Sequence, residues 1–205
     1  MQNRELYIKN KLTDYANVYK TIADFSILSI KQNNVTLTIK LLTSLNRVFE
    51  RILNFIKISC PEDLYKKCEE YDFEELPEFL SPLKVADAYM KILSLKCLNL
   101  ETDNVEEKLF ILKMSLALNY KEEIPYINLA DFLYKNKKYS EAIALCNMIK
   151  NLSNSAPAWE ISAKSYRKLK RYSEAIEDYN TYISINEGDD DGKTELEKIY
   201  KESLK

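Results

Sequence analysis

Apolar residues fall three, four and seven apart along nearly the whole of this chain, the spacing that keeps one face of an α-helix turned to a core. In residues 4–31, Ile8, Tyr15 and Ile22 lie seven apart, as do Val18 and Phe25. Residues 35–59 carry three interlocked series: Leu41, Val48 and Phe55; Leu42, Phe49 and Ile56; Leu45 and Ile52. Asn46, Arg47, Glu50, Arg51 and Lys57 take the opposite face. So wide an apolar stripe suits a helix inside a bundle better than a two-stranded coiled coil. Asn33-Asn34 separates the two segments, which predicts an antiparallel helical pair over residues 1–60. Val35-Thr36-Leu37-Thr38-Ile39 alternates as a strand would, but no second strand is available to pair with it, and the segment is predicted helical.

Two helix starts follow. Pro61 precedes Glu62 and Asp63, which puts a rigid residue and two acids at the positive end of a helix dipole, and Ser81-Pro82 repeats the device. Short helical pieces are predicted between them at 64–71 and 73–80, so residues 61–82 serve as a connection.

Further along, the chain repeats itself. Tyr139-Ser140-Glu141-Ala142-Ile143 recurs as Tyr172-Ser173-Glu174-Ala175-Ile176 at an offset of 33, behind lysine- and arginine-rich flanks. Amphipathic segments lie on both sides of each copy. Tyr126, Leu129, Ala130 and Leu133 precede the first, and Ala142, Ile143, Cys146 and Ile149 continue it. Trp159, Ala163 and Tyr166 precede the second, and Ala175, Ile176, Tyr179, Tyr182 and Ile183 continue it. Two helices of about a dozen residues joined by a few polar ones make a helical hairpin.

In these positions the sequence resembles the tetratricopeptide repeat family. Ala130, Ala142, Ala163 and Ala175 stand where that family has small residues that let helices approach, with large residues filling the spaces beside them. Departures are Ser162 for the usual Leu, Ile149 and Tyr182 for the usual final Ala, and Glu187 for the closing Pro. A weaker copy lies at 89–122, with Ile92 and Leu95 on its first helix and Val105, Leu109, Leu112 and Ser115 on its second. There Lys96 and Lys108 replace small residues, and Leu116-Ala117-Leu118-Asn119 imitates the repeat ending. Spanning residues 89–189, the resemblance implies an all-α chain whose right-handed superhelical array holds about three hairpins. Such arrays need caps. Gly188 would stop the third hairpin and Asp189-Asp190-Asp191 would start a capping helix turned inward through Leu196, Ile199 and Tyr200. The expected organisation is a helical hairpin at 1–60, connecting helices at 61–82 and the capped array at 83–205.

Composition narrows the chemistry. With only 2 Gly and 5 Pro in 205 residues, the chain has little material for tight turns and none for a Gly-rich phosphate loop. The absence of His removes an imidazole base, Ser-His and Cys-His pairs and His-ligated metal. Four Cys (Cys60, Cys68, Cys97, Cys146) at unrelated spacings suggest neither a zinc site nor a disulfide framework, and free thiols are expected. Glu69-Glu70, Glu74-Glu75 and Glu106-Glu107 are adjacent acids, which diverge by about 100° on a helix and form no dyad. An EF-hand through Gly192 would begin at Glu187 and end at Lys198, which cannot coordinate calcium. No catalytic residue, metal or cofactor is expected, and no enzyme. A formal net charge of −2 and pI near 5.5 speak against nucleic acid and for a protein partner. Residues 1–5 lack a signal-peptide core, and Ile22 to Ile30, interrupted by Asp24, is too short to cross a bilayer. A cytoplasmic protein without membrane insertion is expected.

The resemblance also implies where a partner would sit: a groove lined by the first helix of each hairpin. The corresponding residues are Leu93 and Cys97; Ile127, Asn128, Asp131, Tyr134 and Lys135; and Glu160, Ile161, Lys164, Arg167 and Lys168. One subtype of the family grips a chaperone C-terminal carboxylate with two Lys, two Asn and an Arg. Here those places hold Leu93, Cys97, Asn128, Pro157 and Ile161, so no such clamp is expected. The function expected is a non-enzymatic adaptor, scaffold or chaperone-like module that holds a partner peptide or helix. Lys164, Arg167 and Lys168 suggest acidic character in that partner. The alternative is a structural or regulatory subunit of an enzyme complex that self-associates through residues 35–59.

Overall fold

Helix α1 (Gln2–Lys31) turns back into α2 (Val35–Ser59) at Asn33, which holds φ at 48°, the left-handed conformation Asn tolerates better than most residues. The Asn34 N–H donates to the Ser29 carbonyl and the Asn33 N–H to Ile30, each at 2.9 Å, which closes a Schellman turn. The Asn34 side chain then caps α2 by accepting from the Leu37 N–H at 3.1 Å. These details come from a computed structural model that describes residues 2–70, 73, 76–118, 122–187 and 189–204. Among the described residues are ten α-helices, one 3-10 turn and no strand, so the chain is all-α. It divides into two compact units, residues 1–119 and 120–205.

In the first unit, α1 and α2 are antiparallel as expected. Arg4 donates to the Ser59 carbonyl at 3.0 Å, Tyr7 and Tyr15 meet Phe55, Tyr19 meets Phe49, and Ser29 bonds Thr38 at 2.7 Å. The strand-like alternation at 35–39 lies in the first turns of α2. Of the two heptad series in α1, the one through Ile8, Tyr15 and Ile22 turns inward, whereas Val18 and Phe25 are exposed. Helix α3 (Glu62–Glu69) follows Pro61 and packs on α2, and a 3-10 turn (Glu78–Leu80) lies against α1. Parts of the pieces expected at 64–71 and 73–80, with the Glu74-Glu75 pair, lie outside the described residues.

Helix α4 (Pro82–Leu98) opens on Pro82 and packs against α1 and against α5 (Val105–Leu118). Leu83, Ala86, Met90, Leu93 and Cys97 of α4 join Leu42, Leu45, Ile52 and Ile56 of α2 in one core. The expected boundary at 82/83 therefore falls inside the first unit. The core also consumes the apolar stripe of α2. Leu42, Leu45, Val48, Phe49, Ile52 and Ile56 are buried within the unit, while Leu37 and Ile58 of the same helix are exposed.

In the first hairpin the register is one residue off the expected one. Leu93 and Cys97, assigned to a groove, are wholly buried, while Ile92 and Leu95, assigned to packing, are 43% and 47% exposed. Ser94 and Ser115 set this register. Each hydroxyl donates to the other residue's carbonyl at 2.7 Å, and small side chains let the backbones come that close.

The second unit is periodic. Helices α6 (Glu123–Lys135) and α7 (Tyr139–Leu152) recur 33 residues later as α8 (Ala156–Lys168) and α9 (Tyr172–Ile185), boundary for boundary. The turns match as well. Lys137 (φ 62°) and Lys170 (φ 60°) are left-handed, and Lys138 and Arg171 donate to the Leu133 and Tyr166 carbonyls at 2.9 Å, again Schellman turns. Ala130, Ala142, Ala163 and Ala175 are fully buried where the helices cross. Between α7, α8 and α9, the Lys150 ammonium pairs with Asp178 at 2.7 Å and lies 4.0 Å from the Trp159 ring centroid. The Ser162 hydroxyl donates to the same carboxylate. Ser162, where the repeat family has Leu, thus satisfies a buried charge.

Helix α10 (Asp190–Ser203) closes the unit. Its N-cap is Asp189, whose side chain accepts from the Asp191 N–H at 3.1 Å. Ile199 is buried and Leu196 half-buried against the Ala163, Ala175 and Tyr179 cluster, but Tyr200, expected to face inward, is exposed. The helix-stopping role expected of Gly188 lies outside the described residues. At Gly192 a Cβ would come within 2.9 Å of Tyr182 Cε1, so glycine is what admits α10 this close to α9.

Candidate binding face on helices α6 and α8

Helices α6 and α8 touch, and the 33-residue offset puts their candidate residues in equivalent places: Ile127 with Glu160, Asn128 with Ile161, Asp131 with Lys164, Tyr134 with Arg167, Lys135 with Lys168. Packing removes some of them. Ile161 is buried, and Ile127 is half-buried. Others pair along their own helix, Asp131 with Lys135 at 2.6 Å and Glu160 with Lys164 at 2.5 Å. Asn128 is exposed, with its amide donating to the Ile124 carbonyl at 2.9 Å. Tyr134 is half-buried, its ring 5.7 Å from that of Tyr139. Lys168 is exposed.

Arg167 has another task. Its guanidinium donates to Glu195 at 2.6 Å and to both oxygens of Glu202, at 2.5 and 2.9 Å, a fork that ties α8 to α10. Hydrogen bonds to the Glu202 carboxylate hold its pKa above even the usual arginine value. Hydrogen bonds from Lys198 and Arg167 hold the Glu195 carboxyl below the usual range. Of the three positive charges expected to attract an acidic partner, two are therefore engaged within the unit.

The sequence reading missed the neighbours of this face. Glu160 and Lys164 border a cavity whose other walls are Tyr179 and Tyr182 of α9 and the first half of α10. Tyr182 donates to Asp189 at 2.6 Å, and that bond, with burial, pushes its phenol up to about 12. The same bond lowers the Asp189 carboxyl. A signal was present, since Tyr182 stands where the repeat pattern has a final Ala. Thiol chemistry is remote from all of this. Burial pushes Cys97 and Cys146 up to about 12, so neither supplies a thiolate at neutral pH. Among the described residues no group of potential metal ligands converges, and no helix is long and apolar enough to cross a membrane.

These features define a pair of stacked helical hairpins closed by a capping helix, with polar and aromatic side chains left over on the first helices. A family model described as anaphase-promoting complex, cyclosome, subunit 3, matches residues 101–181, inside the stretch that carries the tetratricopeptide resemblance. That resemblance holds over the matched span, somewhat under half of the chain. Two solved structures are similar at 16% identity and a TM-score of 0.42. MamA AMB-1 covers 82% of this chain and 98% of its own. The TPR2AB-domain:pHSP90 complex of yeast Sti1 covers 99% of this chain and 98% of its own. No curated protein matches the chain.

Proposed function

We propose that this protein is a non-enzymatic, cytoplasmic binding module that holds a peptide or helix of a partner protein against α6 and α8. The observation that carries the reading is the pair of equivalent helix faces, on which Asn128, Tyr134 and Lys168 keep polar or aromatic surface beyond what packing consumes. An aromatic ring beside exposed hydrogen-bonding groups is the usual make-up of a peptide-binding surface. The match to a family described as a subunit of a multiprotein complex supports the same reading.

The test is to select binding peptides by display on the whole chain and measure their affinity for surface variants. Tyr134→Ala together with Asn128→Ala is expected to weaken a selected peptide at least about tenfold, a hot-spot effect. Lys168→Glu is expected to act mainly on the association rate. Reversing Arg167 would be uninformative, because its loss releases α10. Peptides that bind both surface variants as tightly as the unaltered protein would sink the assignment.

A further inference from the structure

Helix α1 carries two apolar series, and the first unit uses one of them. Ile8, Tyr15 and Ile22 turn inward with Leu12 and Tyr19. On the other side Tyr7, Val18, Phe25 and Leu28 are 57%, 49%, 58% and 49% exposed. Lys11, Asp14 and Thr21 fill the gaps between them and are exposed as well. From Tyr7 to Leu28 the steps are thus four and three residues in strict alternation, the a/d seam of a coiled coil about 30 Å long. A helix apolar on two sides is ordinarily buried on both, and an exposed apolar strip of this kind marks a contact surface.

The charges inside the seam decide what fits it. Two copies of α1 laid parallel would set Lys11 against Lys11 and Asp14 against Asp14, like charges in the middle of the contact. Laid antiparallel, with Tyr7 level with Phe25 of the second copy, the same seam closes on itself. Lys11 is then level with Thr21 of the second copy and Asp14 with Val18, so no like charges face each other. Lys11 also stands within one turn of the second copy's Asp24, an exposed carboxylate on the flank of the seam that accepts from the Tyr89 hydroxyl of α4. A lone lysine at an a position is a device that fixes register and partner number at some cost in stability.

We infer that α1 pairs antiparallel with α1 of a second copy of this chain, Tyr7 against Phe25 and Lys11 beside Asp24 of the other chain. The pairing is two-fold, so each contact occurs twice. Tyr7 and Phe25 supply an aromatic pair at either end, worth more than its area alone. Self-association then lies on α1 and not on the stripe of α2 from which the sequence suggested it, since most of that stripe is core.

Sedimentation velocity of the full chain over a range of concentrations reads the dimer directly. The unaltered protein is expected to pass from monomer to dimer as concentration rises. Phe25→Glu should weaken dimerisation at least about hundredfold, since it buries a carboxylate at both ends of the seam. Because Phe25 is exposed in the single chain, that variant should melt with the original where both are monomeric. Lys11→Glu and Asp24→Lys should each weaken the dimer about tenfold, because each sets like charges together twice. Mixed in equal amounts, these two variants should form a heterodimer about as tight as the original dimer, since each chain offers the charge the other lacks. A chain that stays monomeric at millimolar concentration would overturn the inference and leave the seam to another occupant. A dimer indifferent to Phe25→Glu would overturn it as well. A mixture of the two charge variants no tighter than either alone would remove the antiparallel register.

Discussion

Hairpins α8–α9 and α4–α5 join two helices of similar length by different chemistry. In α8–α9 the helices meet through Ala163 and Ala175, and a three-residue turn holds Lys170 left-handed at φ 60°. In α4–α5 the helices meet through the paired hydroxyls of Ser94 and Ser115, and the connection runs from Asn99 to Asn104 with no positive φ. There Lys108 closes the end of α4 by donating to the Leu98 and Leu100 carbonyls, and burial pushes its ammonium down. Close helix approach can thus come from small apolar residues or from small hydroxyls whose polarity is met across the interface. Only the first leaves a pattern that repeats in the sequence.

The sharpest way to break the comparison lies in the repeated hairpins themselves. Asp178 is buried and holds both Lys150 and Ser162, whereas the equivalent residue of the earlier copy is Leu145. Asp178→Ala strands the Lys150 ammonium and is expected to cost about 3 kcal/mol in urea unfolding of the second unit. The paired change Lys150→Met in α7 with Asp178→Leu, the second of which moves α9 toward its earlier copy, is expected to recover most of that loss. A double variant as unstable as Asp178→Ala would show that the charges serve more than each other.

A smaller effect is expected in the worn hairpin. Ser94→Ala takes the donor from the Ser115 carbonyl inside a dry core, at about 1 kcal/mol, while the Ser115 hydroxyl keeps the Ser94 carbonyl; Ser115→Ala mirrors it. Because the two hydroxyls also touch each other at 3.1 Å, the double variant should lose less than the sum of the singles. Additive losses would remove the hydroxyl pair as the device that sets the register.

That pair also shows what was legible in the sequence and what was not. The helices of the second unit follow from the 33-residue echo and the alanines, and the α1–α2 pair from heptads broken by Asn33-Asn34. In α4 the mapped register slipped by one. Leu93 and Cys97 are core and Ile92 and Leu95 are exposed, because the helix faces α1 as well as α5 and no spacing announces that second partner. For the binding face, position was legible and availability was not. Arg167 looks free on its own helix, and only the docked α10 brings Glu195 and Glu202 to it. Tyr179 appears in sequence as one more aromatic core residue. That its hydroxyl is buried with no hydrogen-bond partner is a property of the assembled core that no spacing announces.

The hold of α10 gives a pH-dependent prediction of still smaller size. Glu195 has its folded pKa below the ordinary value by hydrogen bonds from Lys198 and Arg167. Its contribution to stability is therefore complete above the unfolded pKa of about 4.3 and fades as pH falls through the lower folded value. Hydrogen exchange at Ile199 should report α10 loosening below about pH 4. Arg167→Ala should flatten that dependence and cost about 1 kcal/mol, since the partners are partly exposed. An acid response unchanged in Arg167→Ala would place its origin elsewhere.

The smallest expected effect returns to the turns. Lys137 and Lys170 hold φ at 62° and 60°, which strains any residue with a Cβ, and the Schellman hydrogen bonds around them compensate. Glycine removes the strain but gives the unfolded chain more freedom, so the two effects oppose each other. Relief of about 1–2 kcal/mol against an entropic loss of about 0.5–1 kcal/mol leaves each Lys→Gly variant more stable by roughly 0.5 kcal/mol. At Asn99, the C-cap of α4, φ is −86° and there is no strain to relieve. There Asn99→Gly should lose a few tenths of a kcal/mol. Opposite signs in thermal unfolding would confirm that the two kinds of hairpin close by different backbone means, and equal signs would erase that distinction.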